Sequence, residues 1–142
     1  MTTPTRSTAL DLLWILRSTE STPPGDRQWA EHCTRQQAVI LSLSYPGRQI
    51  DSLDQLTEVT GIYINLIDDI PVDGTAFYTA HGWRIHISSS LSPTEQIRVA
   101  LHELKHIIDN PVRQRGMSDF TDADFEYLAD YFADCVLRGV KP

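Results

Sequence analysis

The chain has 142 residues, 41% of them apolar and 22% charged, with Lys and Arg numbering 12 against 19 Asp and Glu, a formal charge of -7. That length supports one hydrophobic core, and the ordinary globular composition excludes collagen-like and low-complexity classes. The acidic balance argues against direct nucleic-acid or membrane-surface binding, because both need a surplus of cations on one face.

Leu10, Leu13, Trp14 and Leu16 make a short helical stripe within Thr8 to Arg17. Asp11 interrupts the apolar run from Ala9 to Leu16, and no small-residue cleavage site follows, so a signal peptide is not expected. Ser21-Thr22-Pro23-Pro24-Gly25 breaks the stripe. Asp26 then opens a second helix running to about Leu43, with Trp29, Cys33, Val39, Ile40 and Leu43 available for burial. Tyr45-Pro46-Gly47 stops it. Residues 1–47 are expected to form an N-terminal helical layer, packed on the rest or presenting a partner surface, ahead of a main domain over residues 48–142.

Asp51 or Ser52 caps a short helix that ends at Gly61. Ile62, Ile64 and Leu66 alternate with Tyr63 and Asn65, the pattern of a strand. After a turn-rich loop from Asp68 to Gly74, Ala76 to Ala80 and Trp83 to Ser88 predict a hairpin split at His81-Gly82. In its second arm Trp83, Ile85 and Ile87 face one way, Arg84 and His86 the other. Ser92-Pro93-Thr94-Glu95 is a capping box with proline at the first helical position. Its helix is expected to reach Asp109 or Asn110 and to end at Pro111, with a loop from Val112 to Ser118. A last helix covers about Thr121 to Arg138, with Gly139 beyond it. No stretch approaches the roughly 18–20 apolar residues of a membrane span, and a cytoplasmic location is expected. Cys33 and Cys135 make neither a disulfide framework nor a paired zinc motif and read as reduced thiols.

His102-Glu103-Leu104-Lys105-His106 is an H-E-x-x-H pattern inside the helix that starts at Pro93. Residues four apart lie one above the other on a helix, so both imidazoles can reach one metal ion. Glu103 sits about 100° round from His102, beside that ion and suited to a bound water rather than to ligation. With His102 at 0°, Ile97, Ala100, Leu101, Leu104, Ile107 and Ile108 fall at roughly 140–260°. The histidines therefore face away from the core and are either exposed or roofed by another element.

Asp122, Glu126, Asp130 and Asp134 form a column of carboxylates at four-residue spacing along the last helix. Like charges at that spacing repel by roughly 0.2–0.5 kcal/mol per pair, so the column is easier to understand with a cation against it. Two His and one Glu is a known catalytic zinc set that leaves a fourth position for water. Glu126, twenty residues after His106, can complete that set. Asp130, one turn later, is placed to accept the free N–H of a ligating histidine.

The H-E-x-x-H helix followed by E-x-x-x-D resembles the thermolysin-type, or gluzincin, arrangement. Glu126-Tyr127-Leu128-Ala129-Asp130-Tyr131-Phe132-Ala133, reading E-x-x-A-x-x-F-A behind Gln96 to Leu104, is similar to the ImmA/IrrE family of small metallopeptidases. The resemblance spans about residues 50–138. It implies an α+β, zincin-like fold: a small antiparallel or mixed sheet packed on the H-E-x-x-H helix and a C-terminal ligand helix, here with extra N-terminal helices. It implies one zinc ion on His102, His106 and Glu126, with Glu103 as general base. It further implies a zinc endopeptidase, of bacterial or phage origin, whose substrate is a helix-turn-helix repressor or antitoxin of a phage or mobile element. Lys105 stands where many members have glycine, on the flank of the site, where it is expected to alter access.

Tyr127, Tyr131, His86 and Tyr78 are candidates for an oxyanion donor, and Arg84, His86 and Tyr131 for substrate contact. The strand from Trp83 to Ser88 is a candidate for pairing with an extended substrate. His32 and His81 read as surface or packing histidines, and Cys135 as a thiol on the apolar side with Leu128 and Phe132. A contrasting expectation is a non-catalytic, metal-containing binding module that holds a repressor or antitoxin partner. The presence of Glu103 argues against it, since a structural zinc needs no base.

Overall fold

The computed structural model describes residues 12–17, 26–44, 50–115 and 120–139. The parts of the sequence reading that concern Thr8 to Asp11, the break at Ser21–Gly25 and the stop at Tyr45-Pro46-Gly47 lie outside these residues.

Residues 12–17 form α1. Asp26, in extended conformation, accepts from the Trp29 backbone N–H at 3.0 Å and opens α2 (Arg27–Leu43). The face that α2 buries carries Ala30, Cys33, Thr34, Gln37, Ala38 and Leu41. Of the five side chains expected inside, Cys33 is buried, whereas Trp29 and Leu43 are exposed. The helical period favours the stripe through residues 30, 34, 37, 38 and 41, whose small and polar members hid it from a reading based on apolar residues.

Ser52 and Gln55 form a reciprocal capping box at the start of α3 (Leu53–Thr60), and Gly61 ends it at φ 70°. Three strands follow, β1 (Tyr63–Ile67), β2 (Gly74–Thr79) and β3 (Gly82–Ser88). They lie in the order β1-β3-β2, with β1 parallel and β2 antiparallel to β3. The sheet is therefore mixed, and β3 is its central strand. The hairpin turn is one residue earlier than the sequence predicts. Thr79 pairs with Gly82, leaving Ala80-His81 as the turn. The Thr79 hydroxyl sets it, accepting from the His81 N–H at 3.1 Å and donating to the Gly82 carbonyl at 2.8 Å.

Helix α4 (Pro93–Arg115) starts as expected, with the Ser92 hydroxyl accepting from the Glu95 N–H at 3.2 Å. It does not end at Pro111. Proline removes the N–H that would bond to the carbonyl four residues back, at Ile107. The Arg17 guanidinium supplies the missing donor, 2.7 Å from the Ile107 oxygen and 3.4 Å from that of Ile108. With that oxygen satisfied, the helix continues to Arg115, and Val112 to Arg115 are helical rather than loop.

The Thr121–Asp124 capping box opens α5 (Asp122–Arg138), and Arg27 ion-pairs with Asp124 beside it. Helix α5 runs antiparallel to α4. The core lies between α4 and one sheet face, where Ile85 and Ile87 meet Ile97, Leu101, Leu104, Ile107 and Ile108. Phe132 and Ala133 of α5 join it, as do Leu16, Ala38 and Leu41. Among the described residues, no helix is long and apolar enough to cross a membrane.

Candidate metal centre

The apolar stripe of α4 is buried against the sheet and α5, which turns His102 and His106 to the helix's other side, as their angles require. Both remain partly covered because α5 lies across them. His102 Nε2 is 2.8 Å from Glu126 Oε2, and His106 Nε2 is 3.0 Å from Glu126 Oε1. The two Nε2 atoms are 3.1 Å apart. One donor atom from each residue falls within 4.8 Å of the others, a group able to hold a metal ion.

The donor set fits zinc. Ligand bonds of about 2.0–2.1 Å in a tetrahedron place ligand atoms roughly 3.3 Å apart, close to the separations seen. His102 turns its other nitrogen, Nδ1, to Asp130 Oδ1 at 2.8 Å. That contact fixes the ring and leaves Nε2 free to ligate. His106 Nδ1 is buried with no hydrogen-bond partner among the described residues, so its ring is set by packing. Burial lowers the His106 pKa, only partly opposed by Glu126, and holds the imidazole in the neutral form that ligates.

Glu103 lies on the same helix, half-buried toward β2. Desolvation raises its pKa from the ordinary glutamate value, with His102 pulling it down and Glu126 pushing it up. A half-buried carboxyl of raised basicity is suited to taking a proton. Sequence patterning missed Gly74, which lets β2 approach this side of α4. A Cβ there would stand 2.4 Å from Val99 Cγ1 and 3.5 Å from Glu103 Cγ. A lone glycine at a strand start gives no signal of which helix it will face.

The carboxylate column meets α4 along its whole length. Arg113 pairs with Asp122 at 2.9 Å, the two histidines with Glu126, His102 with Asp130, and Arg98 with Asp134 at 2.5 Å. Two arginines and two imidazoles thus face the four acids.

The other sequence-derived candidates stand elsewhere. Arg84 stacks over Tyr63 and His86 packs edge-on against Phe77, both on the sheet face opposite Ile85 and Ile87. The Tyr131 hydroxyl accepts from Arg35 at 2.9 Å, and the Tyr127 hydroxyl donates to Glu31 at 2.9 Å, so both point to α2. Tyr78 is 70% exposed on β2, edge-to-face with Trp83. The strand Trp83–Ser88 cannot take on an extended substrate, because β1 and β2 occupy both its edges. Lys105 does not reach the access path either. It is 1% exposed and ion-paired with the equally buried Asp109 at 2.6 Å.

Residues 57–137, more than half of the chain, match the IrrE N-terminal-like domain, a peptidase family. The chain belongs to this family. No curated protein and no solved structure matches it significantly. The IrrE-like span begins within α3 and ends in the last turn of α5, so it holds the whole His102, His106 and Glu126 group and the three strands. It leaves α1 and α2 outside, although both pack against IrrE-like elements, α1 on α4 through Arg17 and α2 on α5.

Proposed function

We propose that this protein is a zinc-dependent endopeptidase acting on a protein substrate, a helix-turn-helix repressor or antitoxin of a phage or mobile element. The observation that carries the reading is the convergence of both histidine Nε2 atoms on the two oxygens of Glu126, with a half-buried carboxyl, Glu103, next in sequence to the first histidine.

His102, His106 and Glu126 would hold one zinc ion, and Asp130 would hold His102 in its ligating tautomer. Zinc held there would supply Lewis acidity, able to polarise a scissile carbonyl and to lower the pKa of a water toward about 7. Glu103 would accept a proton from the attacking water at its carboxylate and deliver it to the leaving amine nitrogen as the C–N bond breaks. An extended substrate would add to the outer edge of β2, unpaired among the described residues, on the strand that Gly74 brings against Val99 and Glu103. The acidic composition favours a protein substrate over nucleic acid.

The test is incubation of the zinc-loaded protein with the helix-turn-helix proteins encoded in neighbouring reading frames, with products read by mass spectrometry. Glu103→Gln is expected to keep zinc and partner binding while abolishing cleavage. Binding without cleavage by the unaltered protein, unchanged in Glu103→Gln, favours the non-catalytic binding module.

A further inference from the structure

Helix α5 presents two columns to two neighbours. Glu126 and Asp130 face α4, while Tyr127 and Tyr131, each one residue and about 100° further round, face α2. The α2 side is a ladder at four-residue spacing. Arg27 ion-pairs with Asp124 and lies over the Tyr127 ring, Glu31 accepts the Tyr127 hydroxyl, and Arg35 donates to the Tyr131 hydroxyl. The two tyrosine rings are parallel within 6°, their centroids 6.1 Å apart.

Glu126 and Asp130 have little packing of their own, with side chains 57% and 68% exposed. Their direction is set by how α5 is rolled about its axis. Buried Phe125, Leu128, Ala129, Phe132 and Ala133 seat the helix on the core, and Arg98 and Arg113 pair with Asp134 and Asp122 from the α4 side. The tyrosine contacts act to one side of that stripe and oppose roll.

We propose that Tyr127 and Tyr131, held by Glu31 and Arg35 of α2, are positioning residues that set the roll of α5 and thereby aim Glu126 at the two histidines and Asp130 at His102. This rests on the metal-site reading of His102, His106 and Glu126. It gives α2, which lies outside the family match, a role in the metal centre without any contact to the metal.

The test uses the full chain and cobalt(II) as probe, with affinity from chelator competition, the visible absorption spectrum, and thermal unfolding of the metal-free protein. Tyr127→Phe/Tyr131→Phe and Arg35→Ala are each expected to weaken cobalt binding toward the roughly tenfold that loss of a group bonded directly to a ligand gives, and to alter the ligand-field bands. Arg35→Lys, which keeps a donor to Tyr131, is expected to restore affinity to within about twofold of the unaltered protein, a smaller change than an outer-shell loss gives. A merely structural role would lower the unfolding temperature and leave the spectrum of the folded fraction unchanged, and that result overturns the proposal. Wild-type affinity and spectrum in folded variants overturn it equally. If the unaltered protein binds no cobalt, the metal-site reading falls and takes the proposal with it, an outcome distinguishable because it precedes any substitution.

Discussion

The Arg17 guanidinium donates to the Ile107 carbonyl at 2.7 Å, the oxygen that Pro111 leaves without its helical partner. A contact spanning ninety positions of sequence thus repairs the helix that carries both histidines. Arg17→Ala is expected to cost about 1–3 kcal/mol, the penalty for leaving a buried carbonyl unpaired. Pro111→Ala restores an N–H at that position, so the cost of Arg17→Ala should shrink in its background. Denaturant unfolding of the unaltered protein, the two single variants and the double variant checks this, and an equal cost in both backgrounds would contradict it.

At Gly74, β2 lies against the side of α4 that carries Val99 and Glu103. Val99 is β-branched and stiff, so a Cβ at 2.4 Å cannot be absorbed by a simple rotamer change. Gly74→Ala is expected to destabilise by about 1–3 kcal/mol through overpacking and to displace Glu103. Val99→Ala removes the clashing methyl, so the double variant should recover much of the lost stability and cleavage. Thermal unfolding and cleavage assays on the pair provide the check.

Asp130 accepts from His102 Nδ1 at 2.8 Å. Asp130→Asn keeps the shape but weakens the anchor of the ring, and zinc affinity is expected to fall about 10–100-fold. Calorimetric zinc titration measures it, and an unchanged affinity would show that the ring is held by packing alone.

Burial pushes the Cys135 thiol up, outweighing the Tyr131 hydrogen bond and the Arg35 charge that pull it down. A raised pKa means less thiolate at any pH below it. In a Cys33→Ser background, alkylation of Cys135 by iodoacetamide at pH 8 should be slower than for a free cysteine, and should keep rising past the pH where an ordinary thiol levels off. A pH profile matching the ordinary thiol would contradict this.

Local signals carried most of the element starts. Asp26, Ser52, Ser92 and Thr121 each accept from the first turn of the helix they open, a bond that needs no tertiary partner. The H-E-x-x-H face was legible because helical geometry alone puts the histidines opposite Leu101 and Leu104. What stayed hidden was non-local. Pro111 announces a lost N–H but not the guanidinium that replaces its bond. The central position of β3 depends on parallel pairing with β1 across the β2 hairpin, which no run of residues encodes. The carboxylate column pointed to a cation, and part of the answer is Arg98 and Arg113, spaced on α4 to meet Asp134 and Asp122. Lys105 read as a flank residue by its angle, yet α4 is covered there too, and the lysine is buried against Asp109.

The convergence of His102, His106 and Glu126 on one ion is tested most directly by titrating metal-free protein with zinc, unaltered and as Glu126→Ala. One ion per chain is expected, with affinity falling by several orders of magnitude in the variant, since a ligand and its charge are lost together. Zinc that fails to bind, or that binds Glu126→Ala as tightly as the unaltered chain, would contradict the assignment.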